Sequence, residues 1–189
     1  MSKIKEIKDI VKAEIEKSDT PEQYKLHFVP VFEYSMKLAE ITRANKEVVE
    51  LAAWLHDLGR VKFGPENHHK TGAVEAEKIL REFGYPEEIT EHVKECILTH
   101  RSMEGENPRT IEAKIIASAD AMAHYDTIPW LLIVRFKKTG NLKESVEWVL
   151  EKVNRGWEKK IFIPEAREMI KEKYKAAKLL LESTLKYIK

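Results

Sequence analysis

The sequence predicts an all-α, single-domain helical bundle of about seven to nine helices over residues 1–189. Three observations carry that expectation. Apolar residues recur at three- and four-residue spacing in segment after segment, and capping or breaking residues separate those segments at helix-sized intervals. Only Lys160-Ile161-Phe162-Ile163 reads as extended. With 43% apolar and 34% charged side chains, a chain of this length can fill one core and is short for two.

Ile4, Ile7, Ile10 or Val11, and Ile15 form the stripe of a first amphipathic helix that ends near Ser18. Asp19-Thr20-Pro21 reads as a capped start for a helix to about Thr42, with Tyr24, Phe28, Val31, Ser35, Leu38 and Ile41 on one face. Asn45 caps the next helix, Lys46 to His56, which Gly59 is expected to end in the position that usually needs a positive φ. Val61 to Lys70 reads as a loop, Thr71 to Phe83 as a helix stopped by Gly84, and Pro86 to His100 as another. Ser102 to Pro108 reads as a second loop. Thr110 opens a long apolar helix that Pro129 should bend or break, and Trp130 continues it towards Gly140. Asn141 caps a short helix through Val153, Asn154 to Ile163 is irregular, and Pro164 opens the last helix.

Composition excludes several function classes. Lysine plus arginine (33) nearly cancels aspartate plus glutamate (32), so no net field holds a nucleic acid or an anionic membrane, and any anionic ligand must be bound locally. The one cysteine, Cys96, excludes an internal disulfide and a multi-cysteine zinc site, and fits a reducing compartment. Met1 to Lys17 alternates charge with isoleucine and lacks the apolar core of a signal peptide; no stretch is long and apolar enough to span a bilayer. A cytoplasmic location is expected.

One stretch departs from ordinary helical patterning. Leu51-Ala52-Ala53-Trp54-Leu55 is apolar almost all round and runs directly into His56-Asp57, which places an imidazole and a carboxylate where burial is costly without a partner. His27, His69, His100 and Asp120 likewise interrupt apolar faces or helix ends. These six come from five separate segments and can meet only if the helices pack as a bundle. Four histidines and two carboxylates suit a borderline transition metal better than magnesium, and could hold one ion or, with a shared carboxylate, two.

His27, then His56-Asp57, then Asp120 resembles the histidine, histidine-aspartate, aspartate pattern of the HD superfamily of metal-dependent phosphohydrolases. Ala52-Ala53-Trp54-Leu55-His56-Asp57-Leu58-Gly59-Arg60 is similar to that family's motif helix, and Ser118-Ala119-Asp120-Ala121 to its terminal aspartate motif. His69-Lys70-Thr71-Gly72-Ala73 and Ile97-Leu98-Thr99-His100-Arg101 resemble the extra histidine motifs of its two-metal branches. The resemblance implies an HD-type domain with its motif core at about 24–126 and helices of 141–189 packing on it.

It further implies that His27, His56, Asp57 and Asp120 hold one divalent ion, and that His69 and His100 join Asp57 around a second. The ions are Mn, Fe, Co, Ni or Zn ahead of Mg. Two cations about 4 Å apart can activate a shared water and stabilise a phosphoryl group in flight. Asp57 and His69 are then the catalytic candidates, with His69 and His100 positioning substrate or moving protons if only one ion binds. Arg60, Lys62, His68 and Arg101 flank the motifs and are the substrate-binding candidates. His124, one turn beyond Asp120, is a candidate to support a ligand carboxylate. His92 is expected to be exposed, and the four tryptophans to pack in the core or at its rim.

The partner implied is a small phosphorylated metabolite, with a nucleotide among the candidates and neither a membrane nor a stable nucleic-acid partner. The charged faces of the first and last helices are compatible with a homodimer. A di-iron oxygenase of the same family, and a non-catalytic nucleotide- or metal-binding module, are the alternatives. One departure stands out: the branch that cleaves deoxynucleoside monophosphates carries a glutamate three residues after the motif aspartate, where this chain has Arg60. No Gly-Tyr-Pro motif follows Asp120.

Overall fold

A computed structural model describes residues 2–102 and 107–188, and among these residues it contains ten α-helices, two π-helical turns and no strand. The helices are α1 (Lys3–Glu16), α2 (Val29–Thr42), α3 (Lys46–Leu55), α4 (Leu58–Phe63), α5 (His68–Glu82), α6 (Glu87–Thr99), α7 (Ile111–Asp126), α8 (Ile128–Thr139), α9 (Leu142–Arg155) and α10 (Pro164–Leu185). The π-helical turns, Tyr24–Phe28 and Gly156–Lys160, lead into α2 and out of α9. The all-α class agrees with the sequence reading. The count exceeds it because α4 occupies part of the loop expected at Val61 to Lys70.

Helix starts follow local side-chain chemistry. Ser2, Asn45, Thr110 and Asn141 each accept a backbone N–H of the first turn of α1, α3, α7 and α9, satisfying donors that have no partner inside the helix. The start expected at Asp19-Thr20-Pro21 is displaced. Helical geometry there begins as the π-helical turn, in which the Val29 N–H reaches back to the Tyr24 carbonyl. Pro30, just inside α2, has no N–H to offer Leu26, and the wider turn accommodates that missing bond. Pro129 acts as expected, since α7 ends at Asp126 and α8 starts at Ile128.

The core forms around α7. Its residues from Glu112 to Ala123 are buried apart from Lys114, and Ala113, Ala117, Ala119, Ala121 and Ala123 let neighbours approach closely on several sides. α2, α3, α6 and α10 pack against it, α4 and α5 pack on each other, and α9 lies between α8 and α10. Ile7, Val11 and Ile15 of α1 are fully buried, each contributing about 1.5–3 kcal/mol of hydrophobic stabilisation. No described helix is long and apolar enough to cross a membrane. The loop expected over Ser102 to Pro108 falls largely on residues outside those described.

The role expected for Gly59 is corrected. It has no positive φ and does not end a helix; the chain turns at Asp57 and resumes as α4. Gly59 is required because α4 meets α5 backbone to backbone. A Cβ there would stand 2.3 Å from the His68 carbonyl oxygen and 2.4 Å from the Gly72 nitrogen. The real turn residues are Gly64 (φ 91°) and Asn67 (φ 48°), which confine the loop to residues 64–67 and start α5 at His68 rather than Thr71. Gly59→Ala is expected to lower stability by about 1–3 kcal/mol, the usual cost of overpacking, because only backbone movement relieves the clash. Urea unfolding checks it, and an unchanged midpoint would contradict the close approach.

Candidate metal centre

Three histidines reach the centre by the same local device. The Nδ1–H of His56 donates to the Ala53 carbonyl at 2.9 Å, that of His68 to the Pro65 carbonyl at 2.8 Å, and that of His100 to the Ile97 carbonyl at 2.6 Å. A carbonyl oxygen can only accept, so each Nδ1 carries the proton and each neutral ring turns a bare Nε2 inward. His56 and His100 close the ends of α3 and α6, and His68 opens α5.

These nitrogens converge on Asp57. Nε2 of His68 and of His100 lie 3.2 and 3.5 Å from Asp57 Oδ1, while His27 Nε2 lies 3.5 Å from Asp57 Oδ2 and 3.4 Å from Asp120 Oδ1. Nε2 of His27 and His56 are 3.1 Å apart. Asp57 Oδ1 and His27 Nδ1 are buried with no hydrogen-bond partner. Lone pairs facing one another at such distances repel unless a proton or cation lies among them. Metal–ligand bonds of about 2.0–2.2 Å put neighbouring ligands roughly 3–3.5 Å apart, so these separations fit a divalent ion. Three overlapping groups have donor atoms that all lie within 4.8 Å of one another: His27, His56 and Asp57; His27, Asp120 and His124; and Asp57, His68 and His100.

The electrostatics follow from burial and crowding. Burial, with the neighbouring imidazoles, pushes His56 down from 6.5 to about 4. Burial would raise the Asp57 carboxyl, but the surrounding imidazoles, His56 foremost, outweigh it and hold the group well below the usual carboxylate range. Burial acts likewise on Asp120, where Lys160, then His124 and His27, reverse the shift. His124 is held well below its ordinary value, by burial first and the Lys152 charge second. It stacks on His27 with ring centroids 5.1 Å apart.

The centre forms the floor of a cavity of about 310 Å³ whose upper walls are cationic and apolar: Arg60, Arg101, Lys152, Arg155 and Lys160 on one hand, Trp130, Leu131, Val134 and Trp148 on the other. Lys160 comes from the second π-helical turn and pairs with Asp120 Oδ2, leaving Oδ1 turned to His27. Ser118 of α7 anchors that segment by accepting the Phe162 N–H at 3.0 Å.

The structure brings His27, His56, Asp57, His100 and Asp120 together as expected from the sequence. His68 stands where His69 was expected. Consecutive helical residues point about 100° apart, so only one of the pair can face Asp57. His69 is buried beside Arg101, whose Nη1 lies 3.4 Å from its Nδ1. Arg60 and Arg101 line the cavity, whereas Lys62 pairs with Glu75 outside it. His92 is not fully exposed, since it faces Glu112 at 3.1 Å. Trp54 is buried in the core, and Trp130 and Trp148 form part of the cavity rim. Lys152, Arg155 and Lys160 were not legible as site residues; the one faint signal was a lysine directly before the apolar run Ile161-Phe162-Ile163.

Two measurements test this geometry. His56 has a lower pKa folded than unfolded, so between about 4 and 6.5 the unfolded chain binds a proton that the native state refuses. Stability of the metal-free protein therefore falls as pH drops through that window, by about 1.4 kcal/mol per pH unit per proton, and His124 adds in the same direction. The depressed Asp57 and Asp120 carboxyls add their loss below the usual carboxylate range. Urea midpoints from pH 7 to 4.5 check this, and a flat profile would contradict the bare-nitrogen arrangement. His68→Ala is expected to weaken metal binding at least about tenfold and more than His69→Ala does, read by competition with a chromophoric chelator. The reverse order would restore the arrangement expected from the sequence.

The sequence profile of the HD domain matches residues 24–124. A deoxyguanosinetriphosphate triphosphohydrolase-like protein of Caldanaerobacter subterraneus subsp. tengcongensis is 26% identical over 110 residues, which cover 52% of this chain and 32% of that protein. An uncharacterized protein of Clostridium beijerinckii is 34% identical over 85 residues, 43% of this chain and 54% of that protein. The chain thus spans about a third and about half the length of these relatives. No solved structure matches it. The matched segment contains every histidine and aspartate of the three overlapping groups and takes in more than half of the sequence, so the chain belongs to the HD-domain family.

Proposed function

We propose that this protein is a metal-dependent phosphohydrolase that cleaves a phosphoester or phosphoanhydride bond of a small metabolite, with a nucleotide as one candidate. The observation that carries the reading is the pairing of a floor of bare imidazole nitrogens and carboxylates with walls that supply five cations. His27, His56, Asp57 and Asp120 would hold one ion, and Asp57, His68 and His100 would hold a second. Imidazole-rich donors favour Mn, Fe, Co, Ni or Zn over Mg, which prefers oxygen and retained water. A cation so held supplies Lewis acidity to a phosphoryl oxygen and to water.

The chain's own residues prepare the rest. Lys160 occupies the outer oxygen of Asp120 and so orients the inner one. Arg101, steadied by His69, is placed to receive phosphoryl oxygens, for which its planar fork is suited. The apolar rim excludes water from one side of the substrate. This cationic lining favours an anionic, phosphoryl-bearing ligand over the di-iron oxygenase reading, and turnover separates the hydrolase from the non-catalytic module. The relative named for deoxyguanosine triphosphate is consistent with a nucleotide substrate but shares only part of its length with this chain.

The test is phosphate or pyrophosphate release from a panel of nucleotides and sugar phosphates with Mn²⁺, Co²⁺ or Ni²⁺. Asp57→Ala is expected to lower turnover at least about 100-fold, because it removes a donor from two of the groups at once. Unchanged turnover in that variant would overturn the mechanism.

A further inference from the structure

The cavity has two unlike halves. The floor lies within the segment that matches the family, whereas much of the opposite wall comes from α8 and α9, beyond that segment: Trp130, Leu131 and Val134 from the first, Trp148, Lys152 and Arg155 from the second. Trp148, Lys152 and Arg155 are spaced i, i+4, i+7, which puts them on one face of α9. Arg60 joins them from α4.

Several lysines and arginines elsewhere pair with carboxylates, as Lys94 does with Glu77 at 2.7 Å and Arg81 with Glu87 at 2.8 Å. Among the described residues, no carboxylate lies within 4.0 Å of the charged nitrogens of Arg60, Lys152 or Arg155. Lys152 instead stands 5.5 Å from the centre of the Trp148 ring. Its ammonium is pushed down to about 8 by burial first; the Asp120 charge, next in weight, opposes the shift, and the charges of Lys160, Arg60 and Arg155 add to it. Lys152 is half-buried and Arg60 and Arg155 are exposed, and all three line the cavity, so an anion that enters it meets their like charges, whose mutual repulsion it offsets. Lys160 is already committed to Asp120, which leaves Arg60 of α4 and Lys152 and Arg155 of α9 as lining cations without a paired carboxylate.

We infer that Arg60, Lys152 and Arg155 form a second anion subsite, which holds a charged group of the substrate other than the phosphoryl group at the histidine–aspartate floor. The substrate is therefore a small metabolite with two anionic groups, its body lying against Trp130 and Trp148. This specificity role rests on the hydrolase reading for the identity of the first group. The second group is a phosphate or a carboxylate, since both are bound by the same cations.

Isothermal titration of the metal-loaded protein tests the subsite with three probes: propyl phosphate, propane-1,3-diol bisphosphate, and 4-phosphonooxybutanoate, which carries a carboxylate in place of the second phosphate. At least one doubly anionic probe should bind about 10–100-fold more tightly than propyl phosphate, as expected for one or two charge-assisted contacts, and which one does so identifies the second group. In the Lys152→Met/Arg155→Gln double variant, and separately in Arg60→Gln, that preference should shrink several-fold; Lys152→Arg should retain it. Because the readout is a ratio within each variant, a general loss of affinity or of folded protein does not imitate the result. No preference in the wild type, or an undiminished one in the double variant, overturns the subsite. Absence of turnover on the substrate panel would instead remove the hydrolase reading and leave this binding result standing.

Discussion

The constraint on which this structure depends is electrostatic: a buried carboxylate, Asp57, is surrounded by imidazole nitrogens whose protons have been used elsewhere. At His56, His68 and His100 a carbonyl three residues back takes the Nδ1–H, so rotation of the ring cannot relieve the conflict without forfeiting a buried hydrogen bond. Asp57 Oδ1 is left without a donor. An unsatisfied buried polar atom costs about 1–3 kcal/mol. In a site built for a cation, ion binding turns that penalty into a ligand bond.

Much of the surrounding fold can be understood as what holds these groups on target. Backbone contact between Gly59 and Gly72 brings α4 and α5 close enough for Asp57 and His68 to meet. α7 is narrow through its alanines, which lets α2 and α10 close around Asp120. Both π-helical turns carry a residue that addresses that carboxylate, His27 on one oxygen and Lys160 on the other. Irregular helix is thus concentrated where side chains must be aimed, as is common at functional sites. The cationic α9 face then gives the recess a polarity that the nearly neutral sequence as a whole conceals.

What was legible in the sequence and what was not separates along physical lines. Helical periodicity located most of the helices, and caps such as Asn45 and Asn141 marked their starts correctly, because both depend on neighbours in the chain. His56, Asp57 and Asp120 stood out because a polar residue in an apolar helical run demands an explanation. The choice between His68 and His69 depends on the rotational phase of α5, which Asn67 and the Gly64 turn set by starting the helix three residues earlier than its pattern suggested. The position of Gly59 after an apolar helix suggests a terminator, whereas its real constraint is contact with a backbone thirteen residues away. Lys152, Arg155 and Lys160 looked like ordinary charged residues, since their significance lies in having no carboxylate, or a buried one, across the cavity.

The most direct measurement of the central claim is anomalous diffraction at the absorption edge of the bound metal, from crystals grown with Mn²⁺ or Co²⁺. The expected result is a peak enclosed by Nε2 of His27 and His56 and by the inner oxygens of Asp57 and Asp120, with any second peak between Asp57 Oδ1 and Nε2 of His68 and His100. Crystals that bind metal only elsewhere on the surface, with the four inward nitrogens protonated or rotated away, would contradict it.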